Sequence, residues 1–262
     1  MVNFELKSRY DYEDLLRVVH ILRSPSGCPW DQEQTHQSIR RDFLEEAYEA
    51  AEAIDTDDTA LLREELGDVL LQVVFHADIE SDAGRFTMED VVDEVTKKMI
   101  FRHPHVFANV QADTTEQVLI NWDQLKQEEK SQKTATDTLE SVARTLPQLW
   151  RAEKIQKKAA KAGFDWADIT GALDKLDEET AELRRAVESG SGVEEELGDV
   201  LFAAVKVGRF AGLDSEAALS GTCEKFIRRF RAVEEAVRAG GAEMKDLPLE
   251  ELTALWEQAK RA

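Results

Sequence analysis

Apolar residues recur at spacings of three and four along almost the whole chain, with charged residues filling the gaps. In the second half Leu219, Cys223, Phe226, Phe230, Val233 and Val237 follow at steps of 4, 3, 4, 3 and 4, the stripe of a helix packed along one face. No segment alternates with a period of two between turn residues, so no sheet is predicted. End signals divide the helices. Asp11 precedes one that runs to Leu22, a second spans Ser38 to Ile54, and after Asp55-Thr56-Asp57-Asp58 a long one reaches Ala83 and stops at Gly84. Thr87, with Asp90 three residues on, caps the next. Further along, Thr145 is expected to cap a helix with Pro147 in its first turn and Gly163 at its close. A helix from about Ala172 to Glu188 follows, then a turn at Ser189-Gly190-Ser191-Gly192 and a helix from Val193 to Ala211 that ends at Gly212. Asp214 caps the striped helix, Gly240-Gly241 ends it, and a last helix starts near Pro248. The fold class is all-α.

The pattern is also written twice. Glu64-Glu65-Leu66-Gly67-Asp68-Val69-Leu70 returns letter for letter as Glu195-Glu196-Leu197-Gly198-Asp199-Val200-Leu201. Upstream, Glu45-Glu46-Ala47-Tyr48-Glu49 matches Glu178-Glu179-Thr180-Ala181-Glu182, and Pro29-Trp30-Asp31 loosely echoes Phe164-Asp165-Trp166. Downstream, Lys98 and Arg102 correspond to Lys225 and Arg229, and Trp122-Asp123-Gln124-Leu125-Lys126 to Trp256-Glu257-Gln258-Ala259-Lys260. Matches that keep one order mark two copies of a domain. We place them at residues 1–130 and 146–262, each a four-helix-like bundle, joined by a linker at 131–145 that lacks an apolar period.

Composition narrows the function. With 33 basic and 54 acidic residues the formal charge is −21, which repels nucleic acid and anionic membrane surfaces. Two cysteines are too few for a disulfide or zinc framework, and no apolar run is long enough to span a bilayer. A cytoplasmic protein is expected. Cys28 and Cys223 read as buried thiols, and His103 and His105, around Pro104, as structural residues at a helix end.

In so acidic a chain an acid pair at i, i+3 is ordinarily a solvated helix face. Here Glu179 and Glu182 share one face of one helix, and Glu196 and Asp199 share one face of its antiparallel hairpin partner. Leu197, Val200, Leu201 and Val205 surround the second pair, so the acids lie beside the packed face. Four converging carboxylates repel one another unless a cation joins them. All-oxygen ligands of high charge suit Mg²⁺, with Mn²⁺ as a possible substitute. A di-iron site would want Glu-x-x-His on two helices, and none is present. The first copy offers Glu46, Glu49, Glu65 and Asp68 in the same places. Gly67 and Gly198, inside helices, are read first as close helix contacts and second as room for a metal or phosphate. Lys175, Lys225, Arg229 and Lys260 are candidate phosphate clamps, and Trp256 either stacks on a base or anchors the terminal helix.

The pattern Glu-Glu-x-x-Glu, then after a gap Glu-x-x-Asp, is similar to the signature of the MazG-type all-α nucleotide pyrophosphohydrolases. The gaps are 15 residues after Glu49 and 13 after Glu182. The resemblance covers essentially the whole chain, including Gly27-Cys28-Pro29-Trp30-Asp31, Arg102-His103-Pro104-His105-Val106-Phe107, Lys154-Ile155-Gln156-Lys157 and Gly163-Phe164-Asp165-Trp166. It implies Mg²⁺-dependent hydrolysis of ribo- and deoxyribonucleoside triphosphates, ATP among them, between the α- and β-phosphates by a homodimer. It also implies that Glu179, Glu182, Glu196 and Asp199 hold metal, and that Lys175, Lys225, Arg229, Trp256 and Lys260 contact nucleotide. Lys225 and Arg229 would stabilise the leaving pyrophosphate, and Glu178 is a candidate general base. The second copy is expected to be the active one, since the first has Asp42 in place of Lys175 and Phe101 in place of Arg228. Two alternatives stay open: a nucleotide- and metal-binding scaffold without turnover, and a narrow-specificity hydrolase like the all-α dUTPases.

Overall fold

A computed structural model of the chain describes residues 4–108, 114, 115, 117, 118, 121, 122, 125, 126 and 133–261. Asp123 and Gln124 of the repeated tryptophan motif, and the start of the expected linker at Ser131 and Gln132, lie outside them. Every regular element among the described residues is a helix. The chain divides into two compact units, Met1–Lys126 and Gln127–Ala262.

The first unit contains α1 (Tyr12–Arg23), α2 (Pro29–Glu33), α3 (Arg40–Asp55), α4 (Thr59–Asp82), α5 (Met88–Arg102) and α6 (Pro104–Phe107). Asp11 and Thr87 each close a capping box at the start of α1 and α5, so four orphan donors are satisfied locally. Helices α3 and α4 form the expected antiparallel hairpin across Thr56–Asp58. Behind it lies the core: Val19 of α1, Ile39, and Val74 and Phe75 of α4, flanked by Leu15, Leu16, Leu71, Ile79 and Met88. Each such side chain contributes about 1.5–3 kcal/mol by leaving water. One buried charge serves the same unit. Glu80 accepts hydrogen bonds from Arg85 and meets His36, and these partners pull its carboxyl from 4.5 down to about 2. A carboxylate whose pKa is depressed by folding stabilises the native state above its unfolded value, and loses that contribution as pH falls through the folded one. Glu80→Gln is therefore expected to melt a few degrees below wild type at pH 7. The gap should close between pH 4.5 and about 2, as followed by circular dichroism at a series of pH values.

The second unit contains α7 (Ala135–Glu140), α8 (Gln148–Lys161), α9 (Ile169–Ser189), α10 (Val193–Phe210), α11 (Ser215–Ala239), a 3-10 turn (Met244–Asp246) and α12 (Leu249–Ala259). Helix α7 lies within the segment expected to be a linker and packs on α8. Its capping box, Thr134 with Asp137, explains a helix where no apolar period exists. Thr145 does not cap α8. The N-cap is Pro147, at φ −45° and ψ 133°, because the residue before a proline is disfavoured in the helical region and Leu146 therefore stays in a turn. Helix α9 begins at Ile169, capped by Asp168, earlier than the periodicity suggests, and α9 and α10 form the second hairpin. Gly190 and Gly192, at φ 72° and 77°, take left-handed positions in the connection that a β-carbon would strain. Gln156, buried in α8, donates from Nε2 to the Phe202 carbonyl at 2.8 Å, and Trp150 donates from Nε1 to Asp214 at 3.1 Å.

The stripe on α11 is covered only at its C-terminal end. Val233 and Val237 are buried, whereas Leu219, Phe226 and Phe230 are exposed, and Cys223 is exposed rather than the buried thiol expected. Within one chain α11 has too little opposite its first half to bury that face.

Candidate functional site

The two hairpins place their acids together. In the second unit, oxygens of Glu179 and Glu182 on α9 and Glu196 on α10 lie within 4.8 Å of one another, and in the first the same holds for Glu46 and Glu49 on α3 and Glu65 on α4. The cause is local. An i, i+3 pair shares one helix face, and a three-residue connection sets that face against the pair on the returning helix. Glu179 and Glu65 are buried. Asp199 lines a cavity with Glu179 and Lys175. In the first unit Asp68 is close enough to raise the pKa of both Glu46 and Glu65.

Electrostatics leaves these clusters in need of positive charge. Burial pushes the Glu196 carboxyl above its usual value, and Glu182, Glu179 and Asp199 push it further. Burial and the neighbouring acids do the same to Glu46 and Glu65. The second unit supplies part of the compensation itself. The Lys175 ammonium lies 2.8 Å from Glu178 and 2.7 Å from Glu179, and Arg185 meets Glu182 at 3.0 Å. Those carboxylates hold the Lys175 pKa above its ordinary value, so it stays charged. An oxygen-only donor set of high negative charge fits a hard divalent ion. A third group, His20, Asp78 and Asp82, differs because the Arg23 guanidinium already spans its two carboxylates at 2.9 and 2.8 Å.

Other expected contacts lie elsewhere in the second unit. Lys225 and Arg229 are half-buried on α11. Trp256 of α12 packs its ring 5.0 Å from Phe226, and Lys260 pairs with Glu257 at 2.5 Å. None of these four lines the cavity beside Glu179 and Asp199. The ring contact packs Trp256 of α12 against α11 within the chain. Glu178, the candidate base, is half-exposed and engaged by Lys175. His103 closes α5 with Nδ1 at 2.6 Å from the Met99 carbonyl, a structural position.

Gly67 and Gly198 do not mark close helix contacts. A β-carbon built on either would meet nothing within 4 Å. The hairpin packs through other residues, and the glycines leave open space beside Asp68 and Asp199.

Sequence reasoning also missed residues that the cavity brings to the acids. The loop after α8 contributes Phe164 and Trp166, and α10 contributes Phe202 and Lys206. Asp165 ties them together, meeting Lys206 Nζ at 2.7 Å and Arg209 at 2.6 Å. Burial raises the Asp165 carboxyl pKa, and the two cations outweigh that and hold it below the ordinary value. One signal was available, because Lys206 interrupts the apolar run Leu201-Phe202-Ala203-Ala204-Val205.

Comparison with known proteins agrees with this geometry. Residues 34–107 and 169–233 match the MazG nucleotide pyrophosphohydrolase domain, so both hairpins fall inside a match. The nucleoside triphosphate pyrophosphohydrolase of Escherichia coli K12 is 45% identical over 252 residues, covering 94% of this chain and 96% of that protein. The Thermotoga maritima nucleoside triphosphate pyrophosphohydrolase/pyrophosphatase MazG is 42% identical over 249 residues, 95% of each chain. The uncharacterized protein YabN of Bacillus subtilis is 44% identical over 254 residues, 96% of this chain and 52% of YabN. With paired carboxylate hairpins in both units and these matches, the chain belongs to the MazG nucleotide pyrophosphohydrolase family, a family of hydrolases.

Proposed function

We propose that the second unit hydrolyses ribo- and deoxyribonucleoside triphosphates, ATP included, between the α- and β-phosphates, releasing a monophosphate and pyrophosphate. The convergence of Glu179, Glu182 and Glu196, with a charged Lys175 paired to Glu179, carries this reading. Glu179, Glu182, Glu196 and Asp199 would hold Mg²⁺, or Mn²⁺ in its place, and Glu46, Glu49, Glu65 and Asp68 the ion of the first unit. An ion held there supplies positive charge against the phosphate oxygens. Lys175 orients Glu179 and adds a cation beside the ligands. Glu178 accepts one hydrogen bond from Lys175 and keeps lone pairs on its carboxylate, so it can take a proton from an attacking water. Lys225 and Arg229 are assigned to the leaving pyrophosphate. Because they stand apart from the acids, the assignment joins a second proposal, that two copies pair.

A homodimer would cover Leu197 and Leu201 of α10 and Leu219 and Phe226 of α11, all exposed in one chain. Light scattering is expected to give twice the chain mass, and Leu219→Glu to shift it toward the monomer. A single-chain mass for wild type would count against pairing. No described helix is long and apolar enough to cross a membrane, and both cysteines are free thiols, in keeping with the cytoplasm as the proposed compartment.

Metal dependence tests the site. Pyrophosphate release from ATP and dGTP should vanish in EDTA and return with Mg²⁺. Mg²⁺ should also raise the melting temperature of wild type and have a smaller effect on Glu196→Gln. Full turnover in EDTA would refute the metal assignment.

A further inference from the structure

The cavity of about 510 Å³ beside Glu179 and Asp199 is larger than a few phosphate oxygens need. Three aromatic side chains stand on its wall: Phe164, Trp166 and Phe202 are 81%, 44% and 43% exposed, so ring surface is open to a ligand there. Lys206, by contrast, is almost fully buried, with Nζ 4.9 Å from the centre of the Trp166 ring and 2.7 Å from Asp165. The Trp166 ring is seated on Gly171 in the first turn of α9, where an added β-carbon would come 2.5 Å from Cδ1. Ala172 and Ala203 leave the space open between the helices.

The first copy provides an internal comparison. In the register set by Glu46 and Glu179, Ala172 corresponds to Ile39, and in the register set by Gly67 and Gly198, Lys206 corresponds to Phe75. Ile39 and Phe75 are buried in the core cluster with Val19 and Val74. That unit keeps its carboxylates while filling with its own side chains the positions that bound the cavity in the second.

We propose that the cavity of the second unit is the nucleobase site, with Trp166 and Phe164 as stacking faces and Lys206 as the group that reads a base carbonyl oxygen. The proposal rests on the reading of the adjoining acids as a triphosphate site. A ligand filling the cavity touches Glu179 and Asp199 as well as the rings, so one nucleotide can engage both. Every base has a face for stacking, which gives affinity without selection. Selection comes from Lys206, whose ammonium carries three donors and no acceptor, one of the three directed at Asp165. Guanine, thymine, uracil and cytosine each present a carbonyl oxygen to such a donor, and adenine presents none.

The test compares dGTP and dATP hydrolysis by the full chain, with inhibition by tripolyphosphate, which has no base, as the control. Trp166→Ala should raise KM for both nucleotides roughly ten- to a hundredfold and leave tripolyphosphate inhibition unchanged. Lys206→Met should lower the dGTP-to-dATP ratio of kcat/KM about tenfold, and Lys206→Arg, which keeps a donor, should restore it. Gly171→Ala, which displaces the Trp166 ring without touching charge, should behave like a weaker Trp166→Ala. Melting curves identify any variant that fails to fold, and the milder Gly171→Ala and Lys206→Arg then carry the comparison. Unchanged KM and base ratios, or a loss shared equally with tripolyphosphate, would overturn the base site alone. A wild-type chain that releases no pyrophosphate would overturn the underlying reading instead.

Discussion

Glu179→Gln is expected to cut pyrophosphate release at least on the order of 10²–10³-fold while the chain stays folded. Glu179 is buried, its oxygens lie within 4.8 Å of those of Glu182 and Glu196, and it receives Lys175 at 2.7 Å. The amide keeps the volume and loses the charge, so an ion bound there loses a ligand while the packing of α9 survives. Burial first, and then the neighbouring acids, raise the Glu196 pKa, so the metal-free cluster carries its charge at a cost, and removing one charge should leave the melting temperature of the metal-free chain equal or higher. The two readouts therefore move in different directions. Glu46→Gln in the first unit makes the same local change and should leave turnover within about twofold, because the active site is assigned to the second copy. Equal losses from both variants would place the chemistry in both units.

The second large effect is expected from Lys175→Asp, which gives the second copy the residue found at Asp42 in the first. Lys175 is the cation nearest the cluster, within 2.8 Å of Glu178 and 2.7 Å of Glu179. Replacing it with a carboxylate both removes a positive charge and adds a like charge. Juxtaposed like charges of this kind cost several kcal/mol, so kcat/KM should fall roughly 10²-fold. The loss should appear in KM as well as kcat, since the variant repels the triphosphate itself. Lys175→Arg should recover much of the activity. A loss confined to stability, with kcat/KM unchanged, would assign Lys175 a structural role only.

What the sequence made legible was short-range. Asp11, Thr87 and Asp214 cap the helices they precede because a cap needs only three or four neighbouring residues. The Glu179/Glu182 and Glu196/Asp199 pairs could be set face to face because a turn of three residues leaves α9 and α10 little freedom. Contacts between distant segments were not legible. Gly163-Phe164-Asp165-Trp166 was visible as a string, yet its meaning depends on Arg209, 44 residues on, and on Lys206 beside it. Gly171 gave no hint that it seats a tryptophan ring from the preceding loop. The stripe on α11 was read correctly as apolar and wrongly as covered, since periodicity gives the face of a helix and says nothing of what lies opposite. The first reading of Gly67 and Gly198, as close helix contacts, failed for the same reason, while the open space of the second is present.

The central claim is that paired carboxylates on one hairpin serve cleavage of a triphosphate at its α–β bond. Product identification tests it most directly: phosphorus NMR of ATP and dGTP incubated with Mg²⁺ and wild type, Glu179→Gln or Asp199→Asn. The account predicts monophosphate and pyrophosphate in equal amounts from wild type and almost none from either variant. Orthophosphate with diphosphate as the products, or undiminished turnover in both variants, would contradict it.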